Sequence, residues 1–264
     1  MTLPVLLSIP HGGDRIPPEA AEECALSPAD IWSDGDACTR EIYDLGDAVA
    51  AVRTTDVARA IVDLNRAPDD LPPSNPDGVV KSMTADCVSV WRGGGAPDDG
   101  LSRLLIERCW QPYHDDLAAL CERTDVLVAF DCHSMAQFAP AISPRAGEAR
   151  PLFCLSNGHG ATAPTELLEE FAGALAEAFE CDRAGIGVNE PFSGGHITRW
   201  HGRSGKPGRS VPWVQIEMNR SWYLALPWYD AAARTVDPAR LIDLRVRFGT
   251  ALEALSILRR RPSS

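Results

Sequence analysis

The chain has 264 residues, 45% apolar and 23% charged, a globular composition and not a disordered one. Asp and Glu outnumber Lys and Arg by 37 to 25, and the net charge of −12 disfavours binding to a nucleic-acid backbone. No apolar run approaches ~18 residues, so no membrane span is expected, and the start at Met1-Thr-Leu-Pro4 lacks a basic leader, so a cytoplasmic location is expected.

The first apolar run, over 3–9, predicts a strand buried on both faces. Ile42, Leu45, Gly46, Val49 and Val52 follow helical spacing. Further strands are predicted over 57–64 and 88–91, separated by a Pro-rich surface loop over 68–76. Leu101, Leu104, Leu105 and Cys109 predict a helix that Pro112 kinks or restarts before Leu117 and Leu120. Strands over 126–130 and 152–155 flank a second Pro-rich loop over 140–151. Leu167, Leu168, Phe171, Leu175 and Phe179 mark a helix, and 211–218 a strand. The last helix has Asp237 as N-cap, Pro238 in its first turn, and Leu241, Leu244, Phe248, Leu252 and Leu255 on one face. Alternating strands and helices predict one three-layer α/β domain.

Eight cysteines contain no Cys-x-x-Cys pair, so they read as reduced packing residues and not as a zinc or redox framework. Cys132 and His133 are strand neighbours and face opposite ways, which disfavours a Cys–His nucleophile. There is no Walker lysine, no Gly-x-Gly-x-x-Gly and no Gly-x-Ser-x-Gly elbow.

Several apolar strands end abruptly in polar residues: Ser8-Ile-Pro-His11-Gly-Gly13, Asp63-Leu-Asn65-Arg66, Asp131-Cys-His133-Ser134 and Gln215-Ile-Glu217. Ligands of open α/β sheets bind outside the carboxyl ends of strands. His11, His133 and Glu217 are therefore expected to converge, although His11 alone suits a turn and His133 a hydrogen-bonded core position. Two histidines with a carboxylate make a zinc set that leaves a position for water. Asp36 is the favoured third ligand; Asp34 comes next, either suits a helix cap, and Asp14 ranks lower. Glu217 in an apolar run reads as a general base or as a partner of Arg220. Asn65-Arg66 suits a carboxylate ligand or a surface turn. The Gly-rich, aromatic stretch over 189–202 reads as a mobile loop over the site or a hairpin. His114, near a helix start with Pro112, reads as a support of the site or as packing, and His159 as a turn residue, neither as a metal ligand.

Taken together, Ser8-Ile-Pro-His-Gly-Gly13, Ser33-Asp-Gly-Asp36, Val62-Asp-Leu-Asn-Arg66, Trp110-Gln-Pro-Tyr-His114, Asp131-Cys-His-Ser-Met135, Gly194-Gly-His-Ile-Thr-Arg199 and Gln215-Ile-Glu-Met-Asn-Arg220 resemble the N-formylglutamate amidohydrolase family. The resemblance spans about Ser8 to Tyr223 and implies one domain over 1–264. It implies an α/β/α sandwich around a mixed, mainly parallel sheet, akin to zinc carboxypeptidases and aspartoacylase. It also implies zinc-dependent cleavage of a formyl amide to formate and glutamate, in histidine degradation. Carried over, His11, Asp36 and His133 hold zinc and Glu217 is the base. Asn65, Arg66, His196, Arg199 and Arg220 bind a small anionic N-acyl amino acid. Ala37-Cys38, His196 and Trp200-His201 depart from the family pattern and are expected near the pocket, where they bear on the substrate. Rival readings are an amidohydrolase or peptidase with another substrate, and a non-catalytic binding protein.

Overall fold

The computed structural model describes residues 2–202 and 210–259. Six strands form one sheet in the order β2-β1-β3-β6-β4-β5. β1 (Leu3–Ile9), β2 (Val49–Thr54), β3 (Val128–Met135) and β6 (Trp213–Asn219) run parallel. β4 (Phe153–Ser156) is antiparallel to β6, and β5 (Ile186–Val188) lies parallel to β4 at the edge. The sheet is thus mixed and mainly parallel, as expected. No helix among the described residues is long and apolar enough to cross a membrane.

Side chains alternate between the faces of a strand, and this alternation builds the site. On one face Leu7, Phe130, Cys132 and Ile216 join an apolar layer with α2 (Thr39–Tyr43), α5 (Thr165–Ala178) and α7 (Pro238–Glu253). On the other face Leu6, Ala129 and Trp213 pack with α3 (Asp99–Leu105) and α4 (Gln111–Cys121). That second face then turns polar. Ser8, Asp131, Gln215 and Ser156 stand side by side across four strands, with His133, Glu217 and Cys154 one pleat further on. The carboxyl ends of β1, β3 and β6 therefore carry the polar groups to one edge. Cys132 points to the apolar face, away from His133.

Four local expectations need correction. The helix read through Ile42 to Val52 stops at Tyr43, Gly46 takes φ +52°, and 49–54 becomes strand β2. A left-handed glycine ends a helix readily, and Val49 and Val52 then serve strand pairing. The runs 57–64 and 88–91 are buried loop, held by isolated bridges such as Gly13↔Ala58 and Cys24↔Trp91. Apolar runs report burial more reliably than conformation. Within 189–202, residues 191–195 are loop on the cavity wall, whereas the stretch after Gly195 forms a short helix, α6 (His196–His201). The three-residue β5 is too short to leave a pattern.

Other local chemistry behaves as read. Between α3 and α4 the chain passes through a π-turn at Ile106–Trp110, next to Pro112. The missing N–H of proline accounts for the widened turn. Asp237 caps α7 by accepting from the Ala239 N–H at 2.8 Å.

His114 of α4 is buried; its Nε2 lies 2.9 Å from the Leu64 carbonyl and its Nδ1 3.0 Å from His201 Nε2. Burial disfavours its imidazolium and lowers its pKa from 6.5 to about 4. Above pH 6.5 it is neutral in both folded and unfolded chains. As pH falls from 6.5 towards 4, the unfolded chain takes up a proton that the folded chain refuses, so stability is lost over that window. Urea unfolding of His114→Gln should show a shallower loss of stability from pH 6.5 to 4 than the parent. Equal slopes would exclude His114 as a contributor.

Candidate active site

His11 lies two residues past β1, in a turn whose Gly13 approaches the backbone of Asp56 and Val57 too closely for a Cβ. The His11 carbonyl accepts from Asp36 N–H at 3.0 Å, which ties the β1 turn to the loop after α1 (Pro28–Asp34). His133 sits on β3. All three residues are at least 97% buried. The Nδ1 atoms of His11 and His133 are 3.1 Å apart. Asp36 Oδ2 lies 3.4 Å from His11 Nδ1 and 3.2 Å from His133 Nδ1.

The outer partners assign the ring protons. His11 Nε2 is 2.8 Å from Asp63 Oδ1, and His133 Nε2 is 3.0 Å from Asp131 Oδ2. Charge-assisted bonds of this kind place hydrogen on Nε2. Both Nδ1 atoms then offer lone pairs, as does Asp36 Oδ2, and the three acceptors face one another with no donor between them. Carboxylate–histidine pairs of this form orient metal ligands. Tetrahedral zinc with bonds of about 2.0–2.1 Å has ligand–ligand edges of roughly 3.3–3.4 Å, close to the observed triangle. The donor set fits a divalent metal: His11, Asp36 and His133 form a group able to hold an ion.

The field around these atoms is set by neighbouring charges. Burial raises the Asp36 pKa, but the neighbouring His11 and His133, with Arg59, outweigh it and hold the carboxyl well below its usual range. Burial lowers the His133 pKa, but Asp131 and Asp36 outweigh it and raise it well above its usual value. Arg220 Nη2 holds Asp36 Oδ1 at 3.0 Å, which leaves Oδ2 for the triangle. Arg220 thus pairs with Asp36, and not with Glu217. Asp34 is occupied by fully buried Lys81 at 2.9 Å and by the Ala85 N–H at 2.8 Å. Asp14 is exposed and lies off the cavity.

Glu217 projects from β6 beside His133, its register partner on β3. Its Oε1 accepts from Gln215 Nε2 at 2.8 Å. Burial, reinforced by the nearby Asp36, raises its pKa despite opposing charges on His133 and Arg59. A carboxylate so placed has a strengthened proton affinity, as a general base needs. Glu217 and the triangle line a cavity of about 550 Å³. Its walls include Asn65, Arg66, Ser134 and Arg220, together with Pro140 and Ile142 from the second Pro-rich loop.

The substrate candidates divide. Asn65 and Arg66 line the cavity. Asn65 Oδ1 accepts from Ile197 N–H at 2.8 Å, and Nδ2 lies 3.1 Å from His133 Nε2. Arg66 is anchored by Asp77 at 2.6 Å. His196 and Arg199 lie outside the lining. His196 packs near Trp110 and Trp200, and Arg199 donates to the Gly194 carbonyl at 2.8 Å. The family departures at Ala37-Cys38 and Trp200-His201 also miss the cavity wall. The sequence reading missed Asp63, Asp131, Arg59, Gln215 and Arg150. Asp131 had a usable signal, since it lies two residues before His133 on the same strand face.

These features define an α/β protein with a buried His–Asp–His set and an adjacent carboxylate at the carboxyl ends of its parallel strands. Residues 3–224 match the N-formylglutamate amidohydrolase family. N-formylglutamate deformylase of Pseudomonas putida is 30% identical over 229 residues, covering 84% of this chain and 82% of that one. The Pseudomonas aeruginosa N-formylglutamate deformylase is 28% identical over 230 residues, with the same coverage. The crystal structure of an N-formylglutamate amidohydrolase from Ralstonia eutropha shares the fold, with a TM-score of 0.71 at 20% identity over 96% of this chain and 94% of that one. The chain belongs to the N-formylglutamate amidohydrolase family.

Gly195 couples the site to α6. Its N–H donates to Gln215 Oε1 at 2.6 Å, and a Cβ there would collide with the Asn65 amide. Gly195→Ala should destabilise the protein by about 1–3 kcal/mol in urea unfolding, as overpacking does. Wild-type stability in this variant would contradict the contact.

Proposed function

We propose that the protein hydrolyses the formyl amide of N-formyl-L-glutamate, or of a close N-acyl amino acid, to formate and the amino acid. The observation that carries this reading is the cavity in which Glu217 stands beside the His11–Asp36–His133 triangle. Family membership and the names of the Pseudomonas relatives support the substrate class.

Zinc is the proposed metal, held by His11, Asp36 and His133, and when bound it would acidify a water and polarise the acyl oxygen. Asp63 and Asp131 keep the two imidazoles oriented with Nδ1 inward. Glu217 takes the proton of the attacking water and returns it to the leaving nitrogen. Gln215, bonded to Oε1, restrains the base so that its other oxygen does this work. Asn65 and Arg66 are the proposed grip for a substrate carboxylate, with Arg66 steadied by Asp77. Arg59, bonded to Asp63 at 3.0 Å and lining the cavity, adds positive charge on the wall. Confinement of substrate among these groups supplies orientation.

Formate release from N-formyl-L-glutamate by the zinc-loaded protein tests the reading. Glu217→Gln should lower kcat by roughly 10²–10⁴-fold while metal content stays at the parent level. A variant as fast as the parent would remove Glu217 from the chemistry. Asp131→Ala should weaken zinc affinity by about 10–100-fold in a competitive chelator titration. Undiminished affinity would show that Asp131 does not support His133.

A further inference from the structure

Four arginines line the cavity: Arg59, Arg66, Arg150 and Arg220. Three of them are already paired with acids of the wall. Arg59 is bonded to Asp63, Arg66 to Asp77, and Arg220 to Asp36. Arg150 differs. Among the described residues no carboxylate lies within ion-pair distance of it, and its guanidinium instead sits over the Phe192 ring, 4.9 Å from the centroid.

The backbone of Arg150 is fixed from two sides. Its N–H donates to the Gln137 carbonyl at 3.0 Å, and its carbonyl accepts from Asn219 Nδ2 at 3.2 Å. Asn219 stands on β6, two residues beyond Glu217, so the strand that carries the base also places this cation. Burial lowers the Arg150 pKa, which is the mark of a guanidinium that has lost water without gaining an adequate counterion. Half-buried cations are stabilised by a carboxylate that arrives with good geometry, and guanidinium is well suited to bidentate contact. The lining holds six acids against four arginines, so an anionic ligand needs a cation that those acids have not neutralised.

We propose that Arg150 is the specificity-determining residue of the cavity and receives the side-chain carboxylate of an acidic N-acyl amino acid. This inference rests on the proposed amide hydrolysis, and it assigns the anion that Asn65 and Arg66 do not hold. The Phe192 ring lies against the guanidinium and restricts its rotamers, and the Asn219 contact ties the Arg150 backbone to the strand that carries the base.

The test compares kcat/KM for N-formyl-L-glutamate and its neutral isostere N-formyl-L-glutamine in the zinc-loaded parent, Arg150→Gln and Arg150→Lys. The parent should prefer the glutamate substrate. Arg150→Gln should reduce that preference by roughly 10- to 100-fold, mainly through KM, as loss of a charged hydrogen bond would. Arg150→Lys should restore part of it. Because the readout is a ratio within one protein, partial misfolding does not mimic the result. An unaltered ratio, or an equal loss on both substrates, overturns the proposal. Calorimetric binding of glutarate is the second measurement. If the parent hydrolyses neither formyl amino acid, the function proposal fails by itself, while loss of glutarate binding in Arg150→Gln still supports the anion site. Equal glutarate binding by parent and variant overturns it.

Discussion

Two imidazole nitrogens and a carboxylate oxygen face one another at 3.1, 3.2 and 3.4 Å in the buried end of the sheet. With Nε2 protons committed to Asp63 and Asp131, none of the three atoms has a donor to offer the others. Lone pairs held this close repel unless a cation or proton sits among them. The surrounding architecture keeps this unfavourable arrangement in place. Parallel pairing of β1 with β3 and of β3 with β6 fixes the strand-borne groups, and the bond from Asp36 N–H to the His11 carbonyl closes the third corner. Outer carboxylates then set the ring orientations, and Arg220 turns Asp36.

Charge on the molecule must be read locally. A chain of net charge −12 should repel a dicarboxylate at long range. Around the cavity the acids are countered one by one. Lys81, fully buried, lies 2.9 Å from Asp34 and 2.7 Å from Asp77. Breaking such a buried pair leaves an uncompensated charge and is strongly destabilising, so Lys81 reads as an internal counterion. Arg59, Arg66 and Arg220 take up Asp63, Asp77 and Asp36. Among the four arginines of the cavity, Arg150 is the one with no acid of the wall in ion-pair distance, and together with Asn65, Arg66 and the proposed metal it would hold an anionic amide substrate.

The parts of this site that lay on strand ends were legible in the sequence. His11, His133 and Glu217 interrupt apolar runs, and parallel strands deliver such interruptions to one edge. Asp36 could be preferred over Asp34 but not separated from a cap, because the deciding contact, Lys81 on Asp34, spans 47 residues of the chain. Asp63 and Arg59 were hidden for a similar reason. Their segment, 57–64, reads as a strand, yet it is a buried loop folded under His11. Arg150 carried no signal at all, since its meaning comes from the acids it does not touch. The late segment was legible in its first half only. Its glycines and aromatics read as a loop over the site, and 191–195 do line the cavity, but Asn65 fastens Ile197 and the helix that follows turns His196 and Arg199 away from the lining. The false helix through Val52 shows the same limit: a 3.6-residue pattern persists across Gly46 although the chain reverses its role there.

Zinc titration of the apo protein, followed by X-ray absorption at the zinc edge, bears most directly on the triangle. The expected result is one ion per chain, ligated by two imidazole nitrogens and one carboxylate oxygen, with stoichiometric binding lost in His133→Ala. Failure to bind zinc, or ligation by cysteine sulfur, would contradict the arrangement of His11, Asp36 and His133 as a metal site.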